Sequence, residues 1–95
     1  NVLYSFILNI KVYYSTKFKK QYRKLPKKIR EQFQDRLTLF LRDQSNPQLN
    51  MHKLSGKYDG LWSVNITGNI RAVFDTYYKN TTIFVAIGTH SELYS

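Results

Sequence analysis

Two histidines are the side chains whose type best suits acid–base chemistry in this sequence, and a tyrosine follows one of them. His90 and Tyr94 lie four residues apart in the segment AIGTHSELYS near the carboxyl end, and His52 is the only other histidine. Imidazole titrates near neutral pH, so either histidine could serve as a general acid or base. Taken alone, each is more simply an ordinary surface residue, His90 just past an apolar strand and His52 in a loop.

Arg71 and Tyr94 point to contacts with a nucleic acid. A guanidinium on a strand could hold a phosphate through bidentate hydrogen bonds, unless Arg71 pairs with Asp75. Tyr94 could stack on a base, or it could close over the edge of the sheet as an apolar plug. The residues by themselves leave both alternatives open.

Metal and cofactor motifs are missing from the sequence. There is no P-loop, G-x-G-x-x-G or H-E-x-x-H pattern, and the two histidines are far apart with no carboxylate cluster beside them. The absence of cysteine excludes disulfides, cysteine-based zinc sites and thiol nucleophiles, and it fits a reducing compartment. We therefore predict a cytoplasmic protein whose site uses no metal ion and no cofactor.

The charge of the chain predicts a polyanionic partner. Fifteen Lys and Arg residues against six Asp and Glu residues leave a net charge of +9. Such an excess favours a nucleic acid, an acidic protein or an anionic membrane. A solvated helix face is the simplest explanation of the basic cluster, but a phosphate-backbone footprint competes with it. The residues concerned are Lys17, Lys19, Lys20 and Arg23.

Two amphipathic helices are predicted after a first strand at residues 10–15. Ser15 or Thr16 offers an N-cap for the first helix. Pro26 cannot continue that helix but can open the second, which should end near Asp43, with SNPQLN as a loop. Apolar residues at helical spacing mark the buried stripes. They are Phe18, Tyr22 and Leu25 in the first helix, and Ile29, Phe33, Leu37, Phe40 and Leu41 in the second.

Three further strands are predicted in the second half of the chain: GLWSVNI, IRAVFDTYY and TIFVAIG. The turn signals TGN and KNT separate them. The third run is almost continuously apolar, which is typical of a central strand buried on both faces. Because side chains alternate along a strand, Asn65 and Arg71 should share one face. The other face should carry Trp62, Val64, Ile66, Ile70, Ala72 and Phe74.

The predicted element order is β-α-α-β-β-β, an α+β fold in which a helical hairpin packs on one face of a small, mostly antiparallel sheet. The other face should remain partly open. A chain of 95 residues is predicted to form a single domain, with its core at residues 10–95. Residues 1–9 are apolar, lack the basic region of a signal peptide and are too short to span a bilayer. They could form an extension, and no membrane partner is expected.

Three segments in this order resemble the RelE/ParE superfamily of small bacterial toxins. They are YYSTKFKKQYRKLPKKIREQF, HKLSGKYDGLWSVNITGNIRAVF and IGTHSELY, and the last resembles the ending of the YafQ-like branch. The resemblance covers roughly residues 10–94 and implies a RelE-like fold. It also implies a toxin that cleaves messenger RNA on the ribosome and is held inactive by a cognate antitoxin.

The resemblance assigns roles to individual side chains. His90 falls on the catalytic histidine of the branch, Tyr94 on its carboxyl-terminal aromatic residue and His52 on its loop histidine. Arg71 falls on the strand arginine of the wider superfamily. In this hypothesis the 2′-hydroxyl attacks the scissile phosphate, the two histidines transfer protons, and Arg71 stabilises the phosphorane. Two further residues are predicted to help Arg71, namely Lys53 and Lys57.

Three positions depart from the family pattern. Asn65 stands where the branch has a second histidine, Asn69 where it has an aspartate, and Ala86 where it has an arginine. These departures leave open a catalytically weakened RNA-binding relative. A second alternative is a ParE-like inhibitor of DNA gyrase, in which the basic helices bind protein and His90 has no catalytic role.

Overall fold

The computed structural model describes residues 10–95, which contain a sheet of five strands. The strands are β1 (Lys11–Tyr14), β2 (His52–Lys53), β3 (Trp62–Asn65), β4 (Ile70–Asp75) and β5 (Thr81–Thr89). Their order across the sheet is β1-β5-β4-β3-β2. β1 runs parallel to β5, and the other neighbouring pairs are antiparallel. The mostly antiparallel sheet is therefore confirmed, with β2 as an additional short edge strand.

Two helices follow β1, as predicted: α1 (Thr16–Arg23) and α2 (Lys27–Arg42). Ser15 is the N-cap of α1, because its side-chain oxygen accepts a hydrogen bond from the N–H of Phe18 at 3.0 Å. Pro26 stands immediately before α2, and its carbonyl accepts hydrogen bonds from the first turn of that helix. The proline thus separates the two helices at the predicted place and makes them a hairpin.

Aromatic rings join the helical hairpin to one face of the sheet. Phe33 of α2 lies 5.2 Å from Phe84 of β5 between ring centres, and Phe40 of α2 lies 5.2 Å from Phe74 of β4. All four rings are almost fully buried, and each contributes about 2 kcal/mol of hydrophobic stabilisation. The alternation predicted for the strands is confirmed. The residues that pack on this core from β3, β4 and the turn between them are Trp62, Val64, Ile66, Ile70, Ala72 and Phe74.

The segment SNPQLN, predicted as a loop, contains a short 3-10 turn at Pro47–Leu49. The side chain of Asn46 caps this turn by accepting a hydrogen bond from the N–H of Gln48 at 2.9 Å. Leu49 is completely buried in the main core. A three-residue turn is too short to give a periodic signal, so hydrophobic spacing did not reveal it. Its burial fixes the point where the chain enters β2.

The sheet face opposite the hairpin is less open than predicted. A short helix, α3 (His90–Tyr94), follows β5 and folds over that face. Leu93 of α3 packs with Tyr58, Val73 and Ala86 in a second buried cluster. The prediction that β5 is apolar towards both faces is confirmed, because each face of β5 contributes to one of the two clusters.

Two remaining expectations concern residues 1–9 and the membrane. The extension suggested for residues 1–9 lies outside the described residues. Within residues 10–95, none of the helices combines the length and the apolar character that crossing a bilayer requires.

Candidate active site

A cleft on the α3 side of the sheet brings together the four side chains to which the sequence assigned catalysis. His52, Arg71, His90 and Tyr94 all line it, although they come from two different strands, β2 and β4, and from the helix α3. The cleft has a volume of about 110 Å³, and the nearly buried Ser63 belongs to its lining. The two histidines therefore lie on the same face of the sheet and line one cleft.

Strand register explains why these side chains converge. His52 of β2 pairs with Ser63 of β3, and Ser63 pairs with Val73 of β4. Arg71 is two residues from Val73 on β4, so both side chains point to the same face. Arg71 in turn pairs with Gly88 of β5, two residues before α3 begins. The cleft therefore crosses β2, β3 and β4 and ends at α3.

His52 lies in β2 rather than in the predicted loop. Two residues are too few for an alternating pattern, so sequence reasoning could not identify this strand. Nδ1 of His52 lies 2.9 Å from the carbonyl oxygen of Asn50, which has a left-handed backbone with a φ of 44°. A carbonyl accepts hydrogen bonds only, so the Nδ1–H of His52 donates this one, and Nε2 remains as the proton acceptor. The contact thus fixes both the ring and its tautomer.

Arg71 is anchored through one of its terminal nitrogens. Its NH1 group donates to the carbonyls of Thr67 and Gly68 at 3.2 and 3.1 Å, in the turn between β3 and β4. The suggested pairing with Asp75 is not formed, because the Asp75 carboxylate instead accepts a hydrogen bond from the N–H of Tyr77. Within the described residues, no hydrogen bond involves the other two nitrogens of Arg71. They are available to an anion in the cleft.

His90 and Tyr94 occupy successive turns of α3, with ring centres 4.7 Å apart. The beginning of α3 is fixed by a capping box. The Thr89 hydroxyl accepts a hydrogen bond from the N–H of Glu92, and the Glu92 carboxylate accepts one from the N–H of Thr89. Tyr94 and Tyr58 meet edge to face, with ring centres 5.3 Å apart. Tyr94 therefore belongs to an aromatic row that begins at His90.

The end of α3 is held by two residues, and sequence reasoning missed this role of each. The Tyr58 hydroxyl donates to the carbonyl oxygen of Leu93 at 2.8 Å, and Nζ of Lys57 donates to the same oxygen at 2.9 Å. Lys57 also lies 3.4 Å from the carbonyl oxygen of Ser95. The cleft lining does not include Lys57, whose predicted contact with phosphate stays a prediction. Gly56 is a signal that the sequence did contain, because glycine readily adopts a left-handed backbone. Its φ is 66°, and Lys57 and Tyr58 follow it directly and turn towards α3.

The other basic residues predicted to bind RNA lie outside the cleft. Lys53 follows His52 on β2 and is paired with Trp62, so its side chain points to the hairpin side of the sheet. Lys17 approaches the aromatic row, with Nζ 6.0 Å from the centre of the Tyr58 ring. On the hairpin, Lys19 and Arg23 border a depression of about 260 Å³, and Lys20 is exposed on α1.

The three departures from the family pattern have distinct environments. The side-chain oxygen of Asn65 is buried and has no hydrogen-bond partner among the described residues, although Asn65 pairs with Arg71 across the sheet. The side chain of Asn69 accepts a hydrogen bond from the Thr67 hydroxyl within the turn. Ala86 is fully buried in the second cluster. An arginine at that position would place a charge among apolar side chains.

Metal ligands do not gather in this part of the molecule. Residues 10–95 contain no group of three or more His, Cys, Asp or Glu side chains arranged to hold a metal ion. The polar and aromatic groups that line the cleft are two imidazoles, a guanidinium, the Ser63 hydroxyl and the Tyr94 ring.

Comparison with known proteins gives a consistent family and fold. A family model described as the bacterial toxin YafQ of type II toxin-antitoxin systems matches residues 10–95. The crystal structure of YafQ from E. coli shares 16% identity over 90% of this chain and 99% of that chain, with a TM-score of 0.75.

Two structures of complexes are similar as well. The E. coli DinJ-YafQ toxin-antitoxin complex matches at 17% identity over 90% of this chain and 98% of that chain, with a TM-score of 0.73. The RelB-RelE antitoxin-toxin complex from Methanococcus jannaschii matches at 20% identity, over 87% and 95% of the two chains, with a TM-score of 0.68. At these identities the likeness establishes the fold. None of the curated proteins matches this sequence.

Proposed function

This chain belongs to the YafQ family of bacterial toxins from type II toxin-antitoxin systems, and on that premise we propose that it is a ribosome-dependent endoribonuclease. Its substrate is messenger RNA, and the cut proceeds without a metal ion. The observation that carries the proposal is the convergence of His52, Arg71 and His90 on one cleft. These side chains supply a base, an acid and a cation, which are the three groups that cleavage through the neighbouring 2′-hydroxyl requires.

Proton transfer divides between the two histidines. His52 donates through Nδ1 to Asn50, so its Nε2 can take the proton of the 2′-hydroxyl as the general base. The 2′-oxygen then forms a bond to phosphorus, and the bond from phosphorus to the 5′-oxygen breaks. His90, an exposed residue of the same cleft lining, donates a proton to the departing 5′-oxygen as the general acid. The products are a 2′,3′-cyclic phosphate and a 5′-hydroxyl.

Arg71 stabilises the negative charge that builds up on the phosphorane. Its NH1 group is held by the turn carbonyls, so the guanidinium need not reorganise during the reaction. Tyr94 is 39% exposed, and its free surface can stack on a base next to the scissile bond. Stacking would hold the 2′-oxygen, phosphorus and 5′-oxygen in line.

A primer-extension assay on translated messenger RNA tests this assignment. We expect His90→Ala to lower the cleavage rate at least about 100-fold, as loss of a general acid does. Arg71→Ala should lower it about 100- to 1000-fold, as loss of a preorganised charge donor does. Lys79→Ala is the control for charge, because Lys79 lies in the loop before β5 and outside the cleft lining. Undiminished cleavage by both active-site variants would overturn the assignment.

The same protein can be tested for the gyrase alternative. Translation should fail before DNA supercoiling after induction if the nuclease proposal holds. The opposite order would favour the ParE-like activity. Normal growth with intact ribosome binding would favour an inactive RNA-binding relative.

We further propose a cognate antitoxin as the protein partner, together with the ribosome and messenger RNA as the targets. Solved complexes of the similar toxins YafQ and RelE contain antitoxins. On this chain the helical hairpin offers a depression with the aromatic residues Phe18 and Tyr22 in its lining and Lys19 and Arg23 at its border. An acidic antitoxin segment with apolar anchors would match both features.

A further inference from the structure

We propose that Lys57 and Tyr58 are positioning residues that hold His90 and Tyr94 over the cleft by binding the end of α3. We call these contacts between Lys57, Tyr58 and the end of α3 the hold. Its effect on catalysis rests on the proposed cleavage reaction. The hold itself rests on the two hydrogen bonds to the carbonyl oxygen of Leu93, at 2.8 and 2.9 Å.

α3 needs an external hold because it is too short to be stable by itself. It has five residues, whereas isolated helices below about 12–15 residues are marginal in water. The capping box secures only its beginning. At its end the last carbonyls have no partner within the helix, and Leu93 carries one of them.

Tyr58 and Lys57 satisfy this carbonyl together. A carbonyl oxygen has two lone pairs, so it can accept from the phenol and the ammonium at once. The Lys57 charge also suits the negative end of a helix. Tyr58 in addition supports the Tyr94 ring, and its own ring packs with the buried Leu93 side chain. The pair therefore fixes both the tilt of α3 and the position of its aromatic face.

The residues that form this hold are themselves attached to the strand pair that carries His52. Lys57 and Tyr58 lie on a 3-10 turn (Gly56–Tyr58) between β2 and β3. Backbone hydrogen bonds of 2.8 to 3.0 Å close this connection, from Leu54 to Leu61 and from Leu61 to Tyr58. The hold thus joins the element that carries one imidazole to the element that carries the other. It sets the separation between the proposed base and the proposed acid.

Loss of this hold should reduce the rate of the reaction and leave substrate affinity intact. A displacement of about 1 Å in a catalytic group can lower a rate roughly 100-fold. A contact between Lys57 and an RNA phosphate would have a different consequence, since its loss would weaken binding. The two roles of Lys57 are therefore separable by kinetics.

The test uses Tyr58→Phe, Lys57→Met and the double variant, each in the full chain. Tyr77→Phe and Lys79→Met are matched controls, because Tyr77 is exposed and both residues lie in the loop between β4 and β5, outside the cleft lining. Single-turnover cleavage on programmed ribosomes gives the rate and the half-saturating concentration. Nitrogen-15 relaxation of residues 90–94 reports the order of α3 independently of activity, and thermal melting verifies folding.

We expect each single variant to cleave about fivefold more slowly, as for one lost hydrogen bond, with unchanged half-saturation. The double variant should lose more than the product of the two, because each donor partly compensates for the other. The order parameters of α3 should fall in each single variant and fall further in the double variant. Lys57→Arg, unlike Lys57→Met, should keep them at the level of the unaltered protein. Unchanged order in the double variant, or a loosened α3 with an unchanged rate, would overturn the proposal. A change in half-saturation alone would assign Lys57 to phosphate binding.

The outcome separates this proposal from the proposed function. If the unaltered protein cuts no translated message, the nuclease assignment fails. The relaxation measurement then still decides whether Lys57 and Tyr58 hold His90 and Tyr94 in place.

Discussion

Gly88 lies against the capping box that begins α3, the helix that carries His90. It lies in β5 opposite Arg71, two residues before His90. A Cβ atom at Gly88 would lie 3.1 Å from the carboxylate oxygen Oε1 of Glu92, which is tighter than an ordinary contact. That oxygen accepts the hydrogen bond from Thr89 in the capping box. Glycine is therefore favoured at this position of the Gly-Thr-His sequence, because the Glu92 side chain of the capping box lies against the strand at Gly88.

Substitution of Gly88→Ala should displace the Glu92 carboxylate and weaken the cap. The hydrogen-exchange protection of the Thr89 N–H should fall about fivefold, as expected for a cap contribution of about 1 kcal/mol. Gly68→Ala is the matched control, because the space around Gly68 is empty within 4 Å. Exchange rates measured by NMR compare the two variants. Unaltered protection of Thr89 in the Gly88 variant would show that the cap does not need this glycine.

At the scale of elements, the packing of β1 and α1 depends on a polar residue inside an aromatic cluster. Tyr14 of β1 stacks on Phe18 of α1 at 5.1 Å and on Phe84 of β5 at 5.9 Å between ring centres. Burial raises the pKa of the Tyr14 hydroxyl above its ordinary value, and the nearby Tyr22 raises it further. The folded state therefore holds the phenolic proton more tightly than the unfolded state does.

This pKa shift predicts a loss of stability at alkaline pH. A raised pKa in the folded state contributes stability that is complete below the unfolded pKa of about 10 and declines as pH rises through the higher, folded value. Urea unfolding at about pH 8 and pH 10.5 measures the difference. Tyr14→Phe should remove part of the alkaline loss, whereas Tyr77→Phe, an exposed tyrosine, should not. Equal alkaline losses in the native protein and the Tyr14 variant would contradict this prediction.

Most elements were predictable from the sequence, whereas β2 and α3 were not. α2 has 16 residues, and its apolar stripe repeats often enough to define both the helix and its buried face. β2 has two residues and α3 has five, so neither offers a period. Both depend on contacts with residues distant in sequence, β2 with β3 and α3 with Lys57 and Tyr58.

At the scale of the whole molecule, most of the net charge of +9 is carried outside the small cleft, whose lining contains one basic residue, Arg71. Arg71 lines the cleft itself, Lys17 lies beside the aromatic row, and Lys20 and Arg23 continue the positive surface along α1. In the proposed reaction, this charge would attract the RNA, and the cleft would act on one phosphate.

Affinity for single-stranded RNA should therefore depend strongly on salt. Replacing Lys17, Lys20 and Arg23 by Gln should reduce the slope of log affinity against log salt by about 2, because each phosphate contact on a single strand contributes roughly 0.7. Fluorescence anisotropy with labelled RNA, between about 50 and 200 mM salt, measures the slope. Lys79→Gln removes one charge outside this surface. An equal change of slope per charge in that control would indicate non-specific attraction only.

The sequence by itself determined the fold class, the helical hairpin and the faces of the long strands, because repeated apolar spacing encodes burial locally. With the resemblance, it also singled out His52, Arg71, His90 and Tyr94. Only the tertiary structure decided that these four side chains share one cleft, that Arg71 binds turn carbonyls instead of Asp75, and that α3 covers part of the sheet. It also gave Lys57 and Tyr58 their common partner at Leu93. Apart from the Arg71 contacts with its own turn, these are contacts between residues far apart in the chain, and such contacts follow from strand register and packing rather than from local pattern.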